Sequence, residues 1–189
     1  MQAAVITASV SVVVAVLVFL LNQRSQLLQE RRQARLTRIN AQLRELYGPL
    51  HALVDVNERI WAELERTQLP PPGERLSVRT LPPQAADNWR RWFRSALMPT
   101  NLRMRELIIK HADLLIEPEF PKPLQDFCAH VTSYEVLLGA EESGERPLIG
   151  HPGEPYVEYV RTSFTRLKVE QLRLLSGKRG TNGPRGSAG

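Results

Sequence analysis

The sequence opens with MQAAVITASVSVVVAVLVFLL, residues 1–21, a stretch that carries no charged side chain. Most of its residues are Ala, Val, Leu, Ile, Ser and Thr. At a rise of about 1.5 Å per residue, a helix of about 20 residues covers the roughly 30 Å hydrocarbon core of a bilayer. The stretch therefore predicts a single transmembrane helix at the N-terminus.

The residues that follow the predicted span are strongly basic. Residues 24–44 contain six arginines and a single acid, Glu30. Because Lys and Arg beside a span stay on the cytoplasmic side, we expect the N-terminus outside the cell (plasma) membrane and the body in the cytoplasm. A cleaved signal peptide is the alternative, but it would need a basic N-terminal region and an Ala-x-Ala-like site, and residues 1–23 supply neither.

Five of these arginines are predicted to contact lipid headgroups or a protein partner: Arg24, Arg31, Arg32, Arg35 and Arg38. On an upright helix, Arg24 lies about 4.5 Å beyond Leu21 along the axis, and Arg31 lies about 15 Å beyond it. Salt limits attraction to an anionic leaflet to about 8–10 Å, so only Arg24 would gain much from lipid. We favour this upright arrangement, in which the other arginines pair with acidic protein surface. A helix lying flat on the membrane would bring all five to lipid instead.

The overall charge is basic, with 25 Lys+Arg against 20 Asp+Glu and a pI near 9.8. Such an excess often indicates a nucleic-acid partner. Here it lies in residues 24–44 and in the C-terminal tail, while the body between them is mildly acidic. The sequence therefore favours no nucleic-acid partner. The single cysteine, Cys128, cannot form an internal disulfide, which agrees with a reducing compartment.

Small side chains recur within the predicted span at spacings of four, three and four, at Ala4, Ala8, Ser11 and Ala15. Helices approach closely along such a stripe, so it indicates self-association or packing on another membrane protein. The alternative is that Ala and Ser simply fill an unpaired anchor, and we favour that alternative slightly.

Composition divides the chain into four segments. We predict a transmembrane helix over residues 1–21, a basic juxtamembrane helix over 22–44, a helical cytoplasmic domain over 45–175 and a disordered basic tail over 176–189. Residues 67–83 are rich in proline and predict a linker between helices, and residues 140–155 predict a surface loop.

The body repeats apolar residues at three- and four-residue spacings, which is typical of amphipathic helices. In the first of these helices, Tyr47, Gly48 and Pro49 interrupt the pattern without shifting its phase, so we predict a kink there. No alternating strand pattern is visible. The predicted fold class is all-α, with the transmembrane helix continuing into a long kinked helix that packs in an irregular cytoplasmic helical bundle.

Two further expectations concern the middle of the body. The aromatic residues Trp89, Trp92 and Phe93 are predicted to form core on a short helix that stops before Pro99. The helix that restarts there is predicted to turn apolar side chains toward the interior, among them Ile109.

The residues that could carry chemistry are few. His51 and Asp55 stand four apart on one helical face, which is more typical of a structural pair than of a catalytic dyad. Cys128 and His130 stand two apart, so on a helix they point about 200° away from each other and cannot act as nucleophile and base. Cys128 also lies on an apolar stripe, where a cysteine behaves as a small hydrophobe.

Metal and phosphate sites have no support in the sequence. Glu117 and Glu119 flank Pro118 and are the nearest approach to a cation site, although a solvated turn is the ordinary explanation. The chain contains no Cys-x-x-Cys, no His-Glu-x-x-His and no glycine-rich phosphate loop. We therefore expect no metal, no cofactor and no enzymatic activity.

The chain resembles uncharacterised bacterial single-pass membrane proteins that have a Leu-Tyr-Gly-Pro-Leu turn after the span. The resemblance implies the topology and the helical build, and it transfers no functional residue, since no activity is known for the group. It is carried by Leu43, Arg44, Glu45, Leu46, Tyr47, Gly48, Pro49 and Leu50, by Trp61, and by Phe127, Cys128, Ala129, His130 and Val131.

Three functions are consistent with these features. The first is a membrane-anchored, non-enzymatic adaptor or scaffold that engages an unknown protein partner at the cytoplasmic face. The second is an accessory sensor or regulatory subunit of a membrane complex, with a signal passing along the long helix through the kink. A small hydrolase using Cys128 or His51 is the third and the weakest.

Overall fold

The computed structural model describes residues 2–67, 83–139 and 148–176, with side chains from residue 17 onward. Within these ranges every regular element is a helix, and no strand is present, which confirms the all-α prediction. The predicted proline-rich linker, most of the predicted surface loop and the predicted tail beyond Ser176 lie outside the described residues.

Six α-helices make up the described chain. Two π-helical turns interrupt their sequence, the first at Gln42–Tyr47 and the second at Phe93–Leu97, and a short 3-10 turn lies at Ala112–Leu114. The α-helices are α1 (Gln2–Ala41), α2 (Gly48–Thr67), α3 (Pro83–Trp92), α4 (Met98–Lys110), α5 (Lys122–Gly139) and α6 (Glu154–Ser176).

Across the part of the chain that the structure describes, no helix has both the length and the apolar content needed to cross a membrane. The predicted span over residues 1–21 overlaps the described side chains only from Leu17 onward; the side chains of residues 2–16 lie outside them, although their backbone is helical. The helical part of the fold prediction is therefore confirmed, and the transmembrane part stays a prediction.

The chain divides into two compact units. One unit consists of Met1–Asn40 together with Gln171–Gly189, and the other of Ala41–Glu170. In the first unit, the guanidinium of Arg32 donates hydrogen bonds to the carbonyl of Leu174, with Nε at 3.0 Å. Gln171 donates to Asn40 at 2.7 Å in the same unit.

The core of the second unit is built from the first π-helical turn and from α2, α4, α5 and α6. Phe127 of α5 and Tyr156 of α6 stack in parallel with ring centroids 4.0 Å apart, and the Tyr156 hydroxyl donates to the sulfur of Met104 at 3.4 Å. The largest fully buried side chains are Leu46, Tyr47, Leu50, Val54, Met104, Ile108, Leu124, Phe127, Val131, Tyr156 and Val160. The prediction for Ile109 was wrong, since its side chain is 60% exposed.

The first π-helical turn explains how a helix passes Gly48 and Pro49. Proline has no N–H, and its ring clashes with the carbonyl four residues earlier in an α-helix. The backbone responds by widening one turn, so that the N–H of Gly48 donates to the carbonyl of Leu43, five residues back. A π-helical turn is a recognised cause of kinks. The kink predicted at Tyr47, Gly48 and Pro49 itself stays a prediction.

The same device recurs at the second proline. Here the N–H of Met98 donates to the carbonyl of Phe93, and Pro99 follows at once inside α4. The helix is therefore continuous from Pro83 to Lys110, and the prediction that it stops before Pro99 was wrong. In both cases one residue separates the π-helical turn from the proline, because the wider turn must be complete before the ring arrives.

Replacing Gly48 by Ala is expected to destabilise the protein. A Cβ atom at Gly48 would overlap the carbonyl oxygen of Leu43, a contact that backbone atoms must move to relieve. Overpacking of this kind costs about 1–3 kcal/mol, whereas helix propensity alone would make Ala about 1 kcal/mol better than Gly. Urea unfolding of the full chain in detergent micelles measures the sign.

Gly150→Ala is the matched control for Gly48→Ala, since nothing lies within 4 Å of a Cβ at Gly150. It should leave the urea midpoint nearly unchanged. A Gly48→Ala variant as stable as the wild type, or more stable, would show that the close approach to Leu43 does not constrain the turn.

Candidate functional site

A pocket of about 450 Å³ opens in the second unit, between five helices. Each helix from α2 to α6 contributes at least one side chain, and the segment before α6 contributes two further residues. The lining residues are Asn57, Glu58, Trp61, Trp89, Phe93, Leu97, Asn101, His130, Tyr134, His151, Gly153, Glu154 and Val157.

Aromatic rings form a continuous arc along this pocket. Trp61 of α2 meets Trp89 of α3 edge-on at 5.5 Å, and Trp89 lies 5.7 Å from Phe93. Phe93 then contacts Tyr134 of α5 at 4.9 Å. Tyr134 lies 4.8 Å from His130, which continues the arc along α5. All of these centroid distances fall in the range of favourable ring pairs, so the arc is a connected aromatic wall.

The second π-helical turn supplies two residues of this wall, Phe93 and Leu97. Such turns occur often at functional sites, because the wider turn redirects side chains that an α-helix would spread apart. The proline that forces the turn, Pro99, is thus linked through the backbone to the shape of the pocket.

Two asparagines of the pocket are joined by a hydrogen bond. Asn57 donates its amide N–H to Oδ1 of Asn101 at 3.0 Å, and Asn101 is almost fully buried. The Oδ1 atom of Asn57 is itself buried and has no hydrogen-bond partner among the described residues. A buried acceptor without a partner is uncommon, because its desolvation is not offset by a hydrogen bond.

The charged residues that line the pocket are two acids, Glu58 of α2 and Glu154 at the start of α6. Arg161 lies close enough to both carboxylates for each to raise its pKa, after the larger effect of its hydrogen bond to Asp55. Its guanidinium is already held by Asp55, with Nη2 at 2.8 Å from Oδ1. The side chains that line the pocket therefore carry net negative charge.

Two histidine rings close one end of the pocket, with their centroids 4.9 Å apart and their planes perpendicular. Nδ1 of His130 donates to the carbonyl of Ile149 at 2.9 Å, and Nδ1 of His151 accepts from the N–H of Gly153 at 2.9 Å. Inferred from these bonds, the neutral tautomers leave Nε2 of His130 as an acceptor and Nε2 of His151 as a donor.

Both histidines are held neutral. Burial lowers the pKa of His130 despite its bond to Ile149. Burial of the ring and then the neighbouring His130 lower the pKa of His151 to about 4, although part of His151 remains exposed. Gly153 supports this arrangement with a φ of 64°, a left-handed conformation that favours glycine.

The predicted pair of His51 and Asp55 lies outside the pocket lining. Nδ1 of His51 is 3.5 Å from the Asp55 carboxylate, and its ring stacks on Phe164 at 4.4 Å. Because Asp55 also binds Arg161, the pair links α2 to α6. Its contacts are those of a structural pair.

The second predicted pair, Cys128 and His130, is not arranged for catalysis either. Burial raises the pKa of the Cys128 thiol to about 11, so the sulfur is protonated at neutral pH and is a poor nucleophile. His130, two residues away, is committed to Ile149 and faces the pocket instead.

Glu117 belongs to a partly buried chain of hydroxyl groups that the sequence did not indicate. Tyr159 donates to its Oε2 at 2.8 Å, and the Tyr47 and Tyr159 hydroxyls lie 3.0 Å apart. The N–H of Ile116 donates to the Tyr47 hydroxyl at 3.3 Å. Burial is the main cause of the raised pKa of both tyrosines. Glu119 is exposed in the same turn.

The remaining predicted residues lie on α1. Arg24, Arg31, Arg32, Arg35 and Arg38 are all exposed, and Arg32 binds Leu174 within the first unit. Ala4, Ala8, Ser11 and Ala15 lie in the helical backbone of α1, but their side chains are outside the described residues.

No group of three or more His, Cys, Asp or Glu within residues that the structure describes is placed to hold a metal ion. No family model, curated protein or solved structure matches the chain. The pocket and its chemistry are therefore the basis for a functional assignment.

Sequence reasoning placed the aromatics of the pocket in the core. Trp89 and Phe93 are half-buried wall residues, and Trp92 is exposed. Composition is the signal that could have distinguished a pocket wall from a hydrophobic core. Two Trp, a Tyr and two His together carry more polar ring atoms than a core without water usually holds.

The folded protein should lose stability as the pH falls from about 6.5 toward about 4, the pKa values of His151 when unfolded and folded. Since the folded pKa is depressed, the unfolded chain binds protons in this window that the folded chain does not. Urea midpoints of the full chain across the window measure the effect.

The double variant His130→Asn, His151→Asn keeps an amide near each Nδ1 position but does not titrate. Its urea midpoint should fall less between the two ends of the window than that of the wild type. Equal falls in the two proteins would mean that the histidine pair is not held neutral by the fold.

Proposed function

We propose that the chain is a membrane-anchored, non-enzymatic regulatory protein whose helical body binds a small ligand and signals to a protein partner at the cytoplasmic face. The observation that carries this proposal is the pocket of about 450 Å³ between five helices. Small-molecule sites are typically concave, about 300–1,000 Å³, largely apolar and supplied with a few polar groups. The pocket fits each of these criteria.

An adaptor or scaffold without a ligand is the second candidate. Leu172 and Leu175 favour it, since they stand three apart on α6 and are each more than half exposed. Exposed apolar side chains on one helical face are typical of protein contacts. An adaptor would not require the aromatic pocket, however, and for this reason the sensor or regulatory role ranks first.

The membrane anchor is supported by the described end of the predicted span. Five consecutive apolar side chains are each at least half exposed: Leu17, Val18, Phe19, Leu20 and Leu21. Lipid would cover such a run, whereas water contact is unfavourable. The exposed arginines of α1 support an outside N-terminus and a cytoplasmic body, and kinship with bacterial single-pass membrane proteins is part of the same proposal.

A small hydrolase has the least support. Its candidate groups already have other roles: the Cys128 thiol is protonated because its pKa is about 11, and His51 stacks on Phe164 while binding Asp55. Self-association through Ala4, Ala8, Ser11 and Ala15 remains compatible with either binding role.

The anchor is tested by placing charge near the middle of the predicted span over residues 1–21. A charged residue near the bilayer centre costs about 2.5–3.5 kcal/mol, so Val10→Arg with Val13→Arg should move the full chain from the carbonate-washed membrane fraction to the soluble fraction. Leu27→Arg with Leu28→Arg is the control, since these apolar residues also belong to α1 but lie beyond residue 21. Wild-type protein in the soluble fraction would contradict the anchor.

Ligand binding is tested by a thermal-shift screen of cationic, anionic and neutral fragments on the full chain in detergent micelles. A ligand that binds only the folded state raises Tm, because it stabilises that state by about 2.7 kcal/mol when its concentration is 100 times its Kd. We expect at least one fragment to raise Tm in the wild type and to lose this effect in Trp89→Ala, whose ring lines the pocket.

Trp92→Ala is the control, because Trp92 is exposed and does not line this pocket. It should keep the ligand-induced shift. A screen in which no fragment stabilises the wild type would rule out the regulatory role and leave the adaptor.

A further inference from the structure

We propose that the pocket selects a small organic ammonium, a protonated primary or secondary amine carried on a compact apolar body. This inference rests on the proposed ligand-binding function and specifies the chemical class of the ligand. Three features of the lining support it: aromatic faces, acidic residues and a histidine nitrogen that can only accept a hydrogen bond.

The aromatic arc suits a cation with an apolar body. Trp61 and Trp89 meet edge-on, so their ring faces point in different directions around the pocket. The face of an indole attracts a cation electrostatically, and more strongly where the site is desolvated. Phe93 and Leu97 provide apolar surface for the rest of the ligand.

Charge in the pocket favours the same class. Glu58 and Glu154 line it, and no Lys or Arg is among the lining residues that the structure describes. Arg161, the cation near these acids, is held by Asp55 through two guanidinium nitrogens. An anionic ligand would face uncompensated repulsion from both carboxylates.

Hydrogen bonding narrows the class to an amine with an N–H. Nε2 of His130 is an acceptor on the lining, because Nδ1 of the same ring donates to Ile149. The Oδ1 atom of Asn57 also has no partner among the described residues, but it is buried and does not open on the pocket. A carboxylate has no hydrogen to donate to Nε2, and a quaternary ammonium has none either. A primary or secondary ammonium supplies both the charge and the donor.

Neutral histidines remove a source of positive charge that would oppose such a ligand. Because the pKa of His130 and that of His151 are both lowered, the two rings are uncharged at neutral pH and present faces and an acceptor without repelling a cation. The two rings therefore extend the aromatic wall at neutral pH.

The test is a series of three ligands of one size and different charge: phenethylamine, hydrocinnamate and phenethyl alcohol. Calorimetric titration into the full chain in detergent micelles gives the three affinities, with titrations into empty micelles subtracted. We expect phenethylamine to bind at least tenfold more tightly than hydrocinnamate. The trimethylated form of phenethylamine should bind more weakly than phenethylamine itself, because it has no N–H for Nε2 of His130.

Variants locate the effect in the pocket. Glu58→Gln with Glu154→Gln should weaken phenethylamine about tenfold and leave phenethyl alcohol unchanged, since the alcohol carries no charge. Glu106→Gln, an exposed acid on α4 outside the lining, should change neither affinity. His130→Phe keeps a ring in the wall but has no acceptor, so it should remove the preference for phenethylamine over its trimethylated form.

Each of the other possible outcomes would contradict a defined part of the proposal. Equal binding of the amine, the acid and the alcohol would overturn the ammonium proposal while leaving a ligand-binding pocket. Tighter binding of hydrocinnamate would overturn it as well. Binding of none of the three, together with a fragment screen in which nothing binds, would overturn the proposed function itself.

Discussion

The close approach of Gly48 to the carbonyl of Leu43 is the constraint on which the body depends. Without a side chain at Gly48, the backbone can complete a π-helical turn before Pro49, and the helix continues into α2. That turn buries Leu46 and Tyr47 together and brings the Tyr47 hydroxyl to Tyr159 of α6. The packing of α2 against its neighbours, and with it the position of Asn57 and Trp61, follows from this one step.

Much of the fold could be predicted from periodicity, because the burial of apolar stripes is the main source of stability in a helical body. The stripe that includes Leu46, Leu50 and Val54 is buried as expected. Ile108 and Ile109 show the limit: adjacent residues on a helix face about 100° apart, so only one of them reaches the core. The continuous helix across Pro99 was also not predicted, because the residue spacing of a regular α-helix does not describe a wider, π-helical turn.

The candidate site was harder to predict than the core. Trp61, Trp89, Tyr134 and His151 come from four separate segments, and only tertiary packing brings them together. Each of these residues is common on an amphipathic helix. The spacing of residues within one segment does not show which other segments pack against it. The lowered pKa values of His130 and His151 depend on burial, and their tautomers depend on backbone partners at Ile149 and Gly153; spacing in the sequence reveals neither.

The hydrogen bond between Asn57 and Asn101 couples two positions on different helices. The Oδ1 atom of Asn57 is buried with no partner among the described residues, and burying an acceptor in this way costs about 1–3 kcal/mol. Replacing Asn57 alone by leucine would remove that cost but would leave the buried Oδ1 of Asn101 without its donor. Substitutions at these two positions are therefore expected to occur together, since either one alone leaves a buried polar group without its partner.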